Sequence, residues 1–261
     1  MKQFKFLMVA LTLLMGISLT SCMGNSDPTV SGLDFGRVVE SFPRLVIETP
    51  AGFKFTALNA TESLNLYSND YVYFQYSYDS DVYRNVKDID ATLTIVEKLV
   101  SGTAFPAVDK GENYESATII KMGDGADGSM SNPNRVKFFY YDENKVILPL
   151  FFLLKERSQE SLNMHSFSLV YDENELKEDD SDLVLYLRHR SAETDSKIGV
   201  LSFRIFDIRQ ALNEFRAVTG RKPANIVICT NETTDTTTDN LDKKKNELSK
   251  YSVEYADLFK D

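Results

Sequence analysis

The sequence predicts an all-β protein of two domains: an N-terminal OB-like small barrel, then a C-terminal immunoglobulin-like β-sandwich with one amphipathic helix. Three observations lead there. Short runs rich in β-branched and aromatic residues recur from Phe35 to Tyr255, punctuated by Gly, Pro, Asn and Asp turn signals. A single stretch, Asp207 to Thr219, has helical rather than strand periodicity. Between Gly102 and Asn134 the patterning lapses, which places the domain boundary there, with residues 104–116 read as the linker.

The chain opens with Lys2 and Lys5 before the apolar run Phe6 to Leu19, too short to span a bilayer and ordered like a secretory signal. That run ends in Leu19-Thr20-Ser21-Cys22, which resembles the bacterial lipobox. There the cysteine thiol is diacylated, the peptide bond before it is cut, and the new amine is acylated. Residues 1–21 are therefore expected to be a lipoprotein signal peptide, Cys22 the lipidated first residue of the mature chain, and the lipid bilayer its first partner. Each buried acyl methylene contributes about 0.8 kcal/mol, so three chains hold a protein without a transmembrane helix. Residues 22–34 are small, polar and turn-prone, and read as a tether.

Residues 35–103 are expected to form the barrel. Phe35 to Phe42 and Arg44 to Leu58 read as strands, the second broken by a turn at Pro50-Ala51-Gly52. Tyr71 to Tyr78 and Ile89 to Val100 follow. Short strands at this density favour closure, which removes exposed edges. Residues 117–261 repeat the pattern on a larger scale. Val136 to Tyr141 and Lys145 to Lys155 flank the hairpin connection Asp142-Glu143-Asn144, and Leu201 to Phe206, Asn225 to Cys229 and Ser252 to Tyr255 are further strands. His165-Phe167-Leu169-Tyr171 and Leu183-Leu185-Leu187-His189 alternate at period 2, so each strand turns one imidazole to its apolar face. In the helix, Asp207 is placed to cap and Gln210 to close a capping-box-like pair, Ile208, Ala211, Leu212, Phe215 and Val218 form a stripe, and Gly220 ends it.

Several segments together resemble the NigD-like lipoproteins of Bacteroidetes: Met8 to Gly16 before the lipobox, Val146-Ile147-Leu148-Pro149, His165 to Tyr171, Leu185 to His189, Phe206 to Leu212, and Thr219-Gly220. The resemblance implies the barrel-plus-sandwich architecture, a place in the cell envelope, and an immunity-like role exercised through protein contacts.

Composition narrows the function classes. With Lys+Arg 29 against Asp+Glu 39, a formal charge of −10 and no basic block, nucleic acid is not an expected partner. With Cys22 acylated, Cys229 is alone in the apolar run 226–229 and reads as a core residue. Two histidines, no H-x-x-x-H spacing and no paired cysteines predict no metal and no cofactor. Nucleophile elbows and phosphate loops are missing, so the chain is expected not to be an enzyme. The acidic turns Asp124 to Asp127 and Glu178 to Asp182 lack EF-hand spacing and read as solvated loops. Asp235-Thr236-Thr237 resembles an O-glycosylation acceptor of Bacteroidetes.

The best candidates for ligand recognition are Tyr71, Tyr73, Tyr76, Tyr78 and Tyr83, because tyrosines along a strand of an OB-like barrel can stack on sugars or extended peptides. The expected function is that of an envelope lipoprotein, on the periplasmic face of the outer membrane, acting on an unidentified envelope protein. A glycan or peptide binder, and a hydrolase using a carboxylate pair, stay open as alternatives.

Overall fold

The computed structural model describes residues 28–59, 65–83, 86–107, 117–123, 138–193, 196–233 and 248–259. Cys22, the acidic turn Asp124 to Asp127 and Asp235-Thr236-Thr237 lie outside the described residues. The chain divides into two compact units, Met1–Val100 and Ser101–Asp261.

The first unit is a closed five-strand barrel. Its strands are β1 (Thr29–Glu40), β2 (Val46–Glu48), β3 (Lys54–Ala57), β4 (Tyr71–Asp79) and β5 (Asp88–Lys98), ordered β1-β2-β3-β5-β4 with β4 closing onto β1. All pairs are antiparallel except β3 with β5. The long β1 pairs with β4 along its length and with β2 at its end, which is how so few strands close. Gly52, at φ 76°, supplies the left-handed turn between β2 and β3. The core is Val38, Leu45, Ile47, Phe55, Val72, Phe74, Ile89 and Leu93 with two alanines.

Three boundaries differ from the sequence expectation, one of them the linker 104–116, in which Phe105–Pro106 forms a strand paired with a strand of the second unit. β1 begins at Thr29, inside the stretch read as tether: Ser31 to Asp34 alternate in exposure, but small and polar side chains hide that from a hydrophobicity pattern. At the other end β6 (Val100–Thr103), counted with the barrel, pairs instead with a strand of the second unit after the single residue Leu99.

The second unit stacks two sheets. One contains β6, β8 (Lys121–Met122), β9 (Phe139–Asp142), β10 (Lys145–Leu154) and β13 (Ile198–Asp207). The other runs β15 (Ser249–Glu254), β14 (Asn225–Thr230), β12 (Asp182–Ser191), β11 (His165–Tyr171) and β7 (Phe105–Pro106). Leu148, Leu150 and Phe152 of β10 meet Leu169, Leu183, Leu185, Ile226 and Ile228 of the facing sheet in one core. Pairing is not purely antiparallel: β12 with β14, and β7 with β11, run parallel. β14 is reached from β12 through β13 in the other sheet and a helix, the kind of long crossover that a parallel pair requires.

A short helix α1 (Gln159–Asn163) precedes β11, and α2 (Arg209–Thr219) follows β13. Helix α2 buries Ala211, Leu212 and Phe215 on the core, as its stripe predicts, but Val218, the last residue of the expected stripe, is exposed, and Gly220 (φ 69°) ends the helix. At its start the Asp207 carboxylate accepts the first-turn Arg209 amide at 2.9 Å, as expected of a cap, while Ile208 holds the N-cap backbone position with no side-chain cap bond of its own. Burial of Ile208 (0% exposed) fixes the entry beside that polar cap.

Candidate functional site

Strand alternation divides the five candidate tyrosines. Tyr71 and Tyr73 lie on the outer face of β4, where Tyr73 packs on its register partner Phe35 with ring centroids 5.2 Å apart. Tyr76 and Tyr78 lie on the inner face beyond Phe74, and Tyr83 joins them from the β4–β5 connection. Tyr76 packs 4.4 Å from Phe55, Tyr76 and Tyr78 stack at 6.0 Å and 24°, and Tyr83 meets Tyr78 edge-on at 6.1 Å and 82°. The Tyr83 hydroxyl donates to Asp90 at 3.1 Å. The barrel therefore gathers three of the five at one mouth.

The same mouth holds a residue the sequence reading assigned to the tether. Gly32, Asp34, Gly36 and Val38 share the inner face of β1; Gly32 pairs with Tyr76, Asp34 with Phe74 and Gly36 with Val72. A Cβ at Gly32 would sit 2.6 Å from the Tyr76 hydroxyl oxygen, so glycine here is room for the ring. Asp34 accepts one hydrogen bond, from the adjacent Phe35 amide at 2.8 Å. Burial pushes its carboxyl from 3.8 up to about 6, against the small opposing pull of that amide. Burial, then Asp34 and Tyr78, push Tyr76 up to about 12. The inner-face register that reveals Asp34 can be extrapolated backward from Val38 once β1 is known to be straight.

The second polar cluster lies inside the sandwich. His165 Nδ1 and His189 Nε2 are 2.9 Å apart, His165 Nε2 is 3.0 Å from Glu193 Oε2, and His189 Nδ1 is 3.2 Å from the Thr118 carbonyl oxygen. Glu193 also accepts the Ser161 hydroxyl, the Ser196 hydroxyl at 3.1 Å and the Lys155 amide at 2.8 Å. Both ends of the chain, a carboxylate and a carbonyl, only accept, so its three links need three protons where two neutral imidazoles carry two. The ionised Glu193 carboxylate terminates the chain at one end and the Thr118 carbonyl at the other.

Burial raises Glu193, but the bonds from Ser161, His165, Lys155 and Ser196 together outweigh it and hold the carboxyl at about 2. Burial, then the charge on His165, lower His189 to about 3. Phe167 stacks on His189 at 4.4 Å and 7°, and the Arg204 guanidinium lies 5.4 Å from the Phe167 ring centre. His165 and His189 are buried in the sandwich, 5% and 1% exposed. Ser161 contacts the carboxylate and not an imidazole, which is the wrong order for an activated nucleophile. Among the described residues no group of three His, Cys, Asp or Glu side chains is arranged to hold a metal ion.

Of the remaining candidates, Cys229 is buried and burial pushes its thiol up. The turn Glu178 to Asp182 is tied down locally: Asp180 accepts the Lys177 amide at 2.8 Å, Asp182 accepts Asn225 at 2.8 Å, and Arg221 holds the Asp179 and Asp180 carbonyls. The sequence reading missed Asp34, Glu193 and Arg204. Glu193 follows the end of β12, where no periodicity points to it.

A closed five-strand barrel in the OB order joined to a two-sheet sandwich defines the structural class. No family model matches the sequence, and no curated protein matches it. Among solved structures the chain is similar to a candidate lipoprotein of Bacteroides fragilis at 22% identity and a TM-score of 0.69, over 87% of this chain and 98% of that one. It is similar to a candidate toxin-related protein of Parabacteroides distasonis at 9% and 0.52, over 87% and 93%. A NigD-like immunity protein of Bacteroides caccae matches at 14% and 0.50, over 76% and 85%. At these identities the likeness is one of fold, and it is the fold that the resemblance to NigD-like proteins implied.

Proposed function

We propose that the chain is a lipid-anchored protein of the bacterial cell envelope that acts without catalysis, through contacts with an envelope protein, in the manner of an immunity protein. The observation that carries this reading is the match of its fold to a candidate Bacteroides lipoprotein over 87% of the chain and to a NigD-like immunity protein over 76% of it. The lipobox-like Leu19-Thr20-Ser21-Cys22 supports the anchor, with the periplasmic face of the outer membrane as its site. The sealed His165-His189-Glu193 network supports the absence of catalysis, since its hydrogen bonds are spent on structure.

In-cell cross-linking of the tagged chain in a Bacteroides host, beside Cys22→Ala, tests it. Sedimentation with membranes and one dominant captured protein, both lost in Cys22→Ala, are the expected results. A soluble wild-type chain would remove the anchor, and capture of the same abundant envelope proteins by both chains would remove the specific partner. A second reading, ligand binding at the barrel, is favoured by the convergence of Tyr76, Tyr78 and Tyr83 with Asp34 at one mouth.

A further inference from the structure

The barrel mouth differs from the rest of the molecule in combining aromatic surface with a carboxyl group short of donors. Tyr76 and Tyr78 stack while Tyr83 stands nearly perpendicular to Tyr78, so the three rings form a corner of π surface and not a flat shelf. Asp34 lies on the inner face beside Tyr76 with one amide as its donor. From β2, β3 and β5 the barrel core receives Ile47, Phe55, Ala57, Ile89, Ala91 and Leu93, all apolar. At the rim, Asp90 accepts from Tyr83, and Asp79 and Asp81 follow Tyr78 in sequence. Among the described residues, the cations of this end turn elsewhere: Lys87 Nζ reaches the Ala51 carbonyl at 3.5 Å, and Lys54 is in register with Glu48 on the outer face.

We infer that this mouth is a binding site for an organic cation, the primary ammonium or guanidinium group that a Lys or Arg side chain presents, with Tyr76, Tyr78 and Tyr83 as the aromatic walls and Asp34 as the counter-charge. Ring faces attract such a group through their quadrupoles, most strongly where water is excluded. An anion is repelled by Asp34, Asp79 and Asp90. A neutral polyol finds rings to stack on but leaves the desolvated carboxylate uncompensated, whereas a cation satisfies both. The inference deepens the reading of the mouth as a ligand site and rests on it.

The test is titration of the full mature chain with a tetralysine peptide, a tetraserine peptide and a linear glucose tetramer, at about 0.15 M salt to suppress diffuse attraction. Tetralysine is expected to bind and the neutral ligands not to. Its affinity should rise with pH through about 6, where Asp34 ionises, and this step should vanish in Asp34→Asn. Asp34→Asn is expected to weaken binding about tenfold, the equivalent of one pKa unit. Tyr78→Leu should weaken it about fivefold through loss of a π face. Tyr73→Leu, on the outer face, should leave it unchanged and serves as the folded control.

Equal binding of the serine peptide or the glucan would overturn the cation and keep the ligand site. Tetralysine binding indifferent to Asp34→Asn and Tyr78→Leu would overturn the inference by locating the attraction on the acidic surface at large. Absence of binding by all three would overturn the inference and the ligand-site reading together.

Discussion

The two units treat buried ionisable groups in opposite ways. In the sandwich, the Glu193 carboxylate collects donors from Ser161, Ser196, Lys155 and His165, and the proton chain continues through His189 to the Thr118 carbonyl. In the barrel, Asp34 is desolvated with a single amide donor. The first arrangement fastens residues 117–118, the stretch after β10, α1, the start of β11 and the end of β12 to one another, and has no capacity left for a ligand. The second keeps hydrogen-bonding capacity in reserve. Saturation marks a structural role and shortfall marks a recognition role, because an unsatisfied buried acceptor costs about 1–3 kcal/mol that only a ligand or solvent recovers.

The strongest way to break the comparison is Glu193→Ala. It removes the acceptor shared by Ser161, Ser196, the Lys155 amide and His165, and loss of one partner of a buried pair costs about 3–5 kcal/mol. Denaturant unfolding followed by a probe in the sandwich should show that loss, while the barrel's hydrogen-exchange protection is unchanged. An effect under about 1 kcal/mol, the scale of an exposed pair, would mean that the network is not saturated in solution.

Acid titration of stability comes next. The unfolded His189 ring takes up a proton near 6.5 and the folded ring only near 3, so stability falls as pH drops across that window, by about 1.4 kcal/mol per pH unit. Glu193 adds a loss of the same sign from 4.5 down through about 2, because the unfolded carboxylate protonates first. Asp34 has the opposite sign: its folded carboxyl ionises near 6 against 3.8 unfolded, so it favours the folded state at low pH and that contribution disappears as pH rises through 6. Asp34→Asn is therefore expected to stabilise by about 1–2 kcal/mol at pH 8, less than the full shift implies because the mouth admits water, and to change nothing at pH 3. Melting curves at the two pH values decide it, and equal effects at both would place Asp34 in water.

The smallest expected effect is that of Gly32→Ala. The new methyl meets the end of the Tyr76 side chain and not backbone, so the ring shifts and the cost is about 1 kcal/mol. Loss of the Tyr76–Tyr78 stacking should register in the near-ultraviolet circular dichroism of the tyrosines.

The sequence showed much of this architecture through side-chain period. Alternation placed the strands of both units and put His165 and His189 on inner faces, where neighbouring strands then bring them together. What escaped has a common cause: side chains whose role depends on the far side of the fold. Thr29 to Asp34 look like tether because small and polar residues conceal the strand that pairs with β4. β6 looks like the end of β5 because one residue separates strands that belong to different sheets. Glu193 sits beyond the end of β12 and gains its meaning from α1 and β11, which no local pattern encodes. Of the candidate tyrosines, period 2 sorts the four on β4 onto two faces, but the closure that gathers Tyr76, Tyr78 and Tyr83 is a property of the barrel.

The early start of β1 sets a leash. From Cys22 to Thr29 the chain reaches at most about 25 Å even when fully drawn out. Thr29 pairs with Asp79, at the mouth end of the barrel. An acylated Cys22 would thus hold that mouth within this distance of the lipid headgroups, a reach set by the chain's covalent length alone.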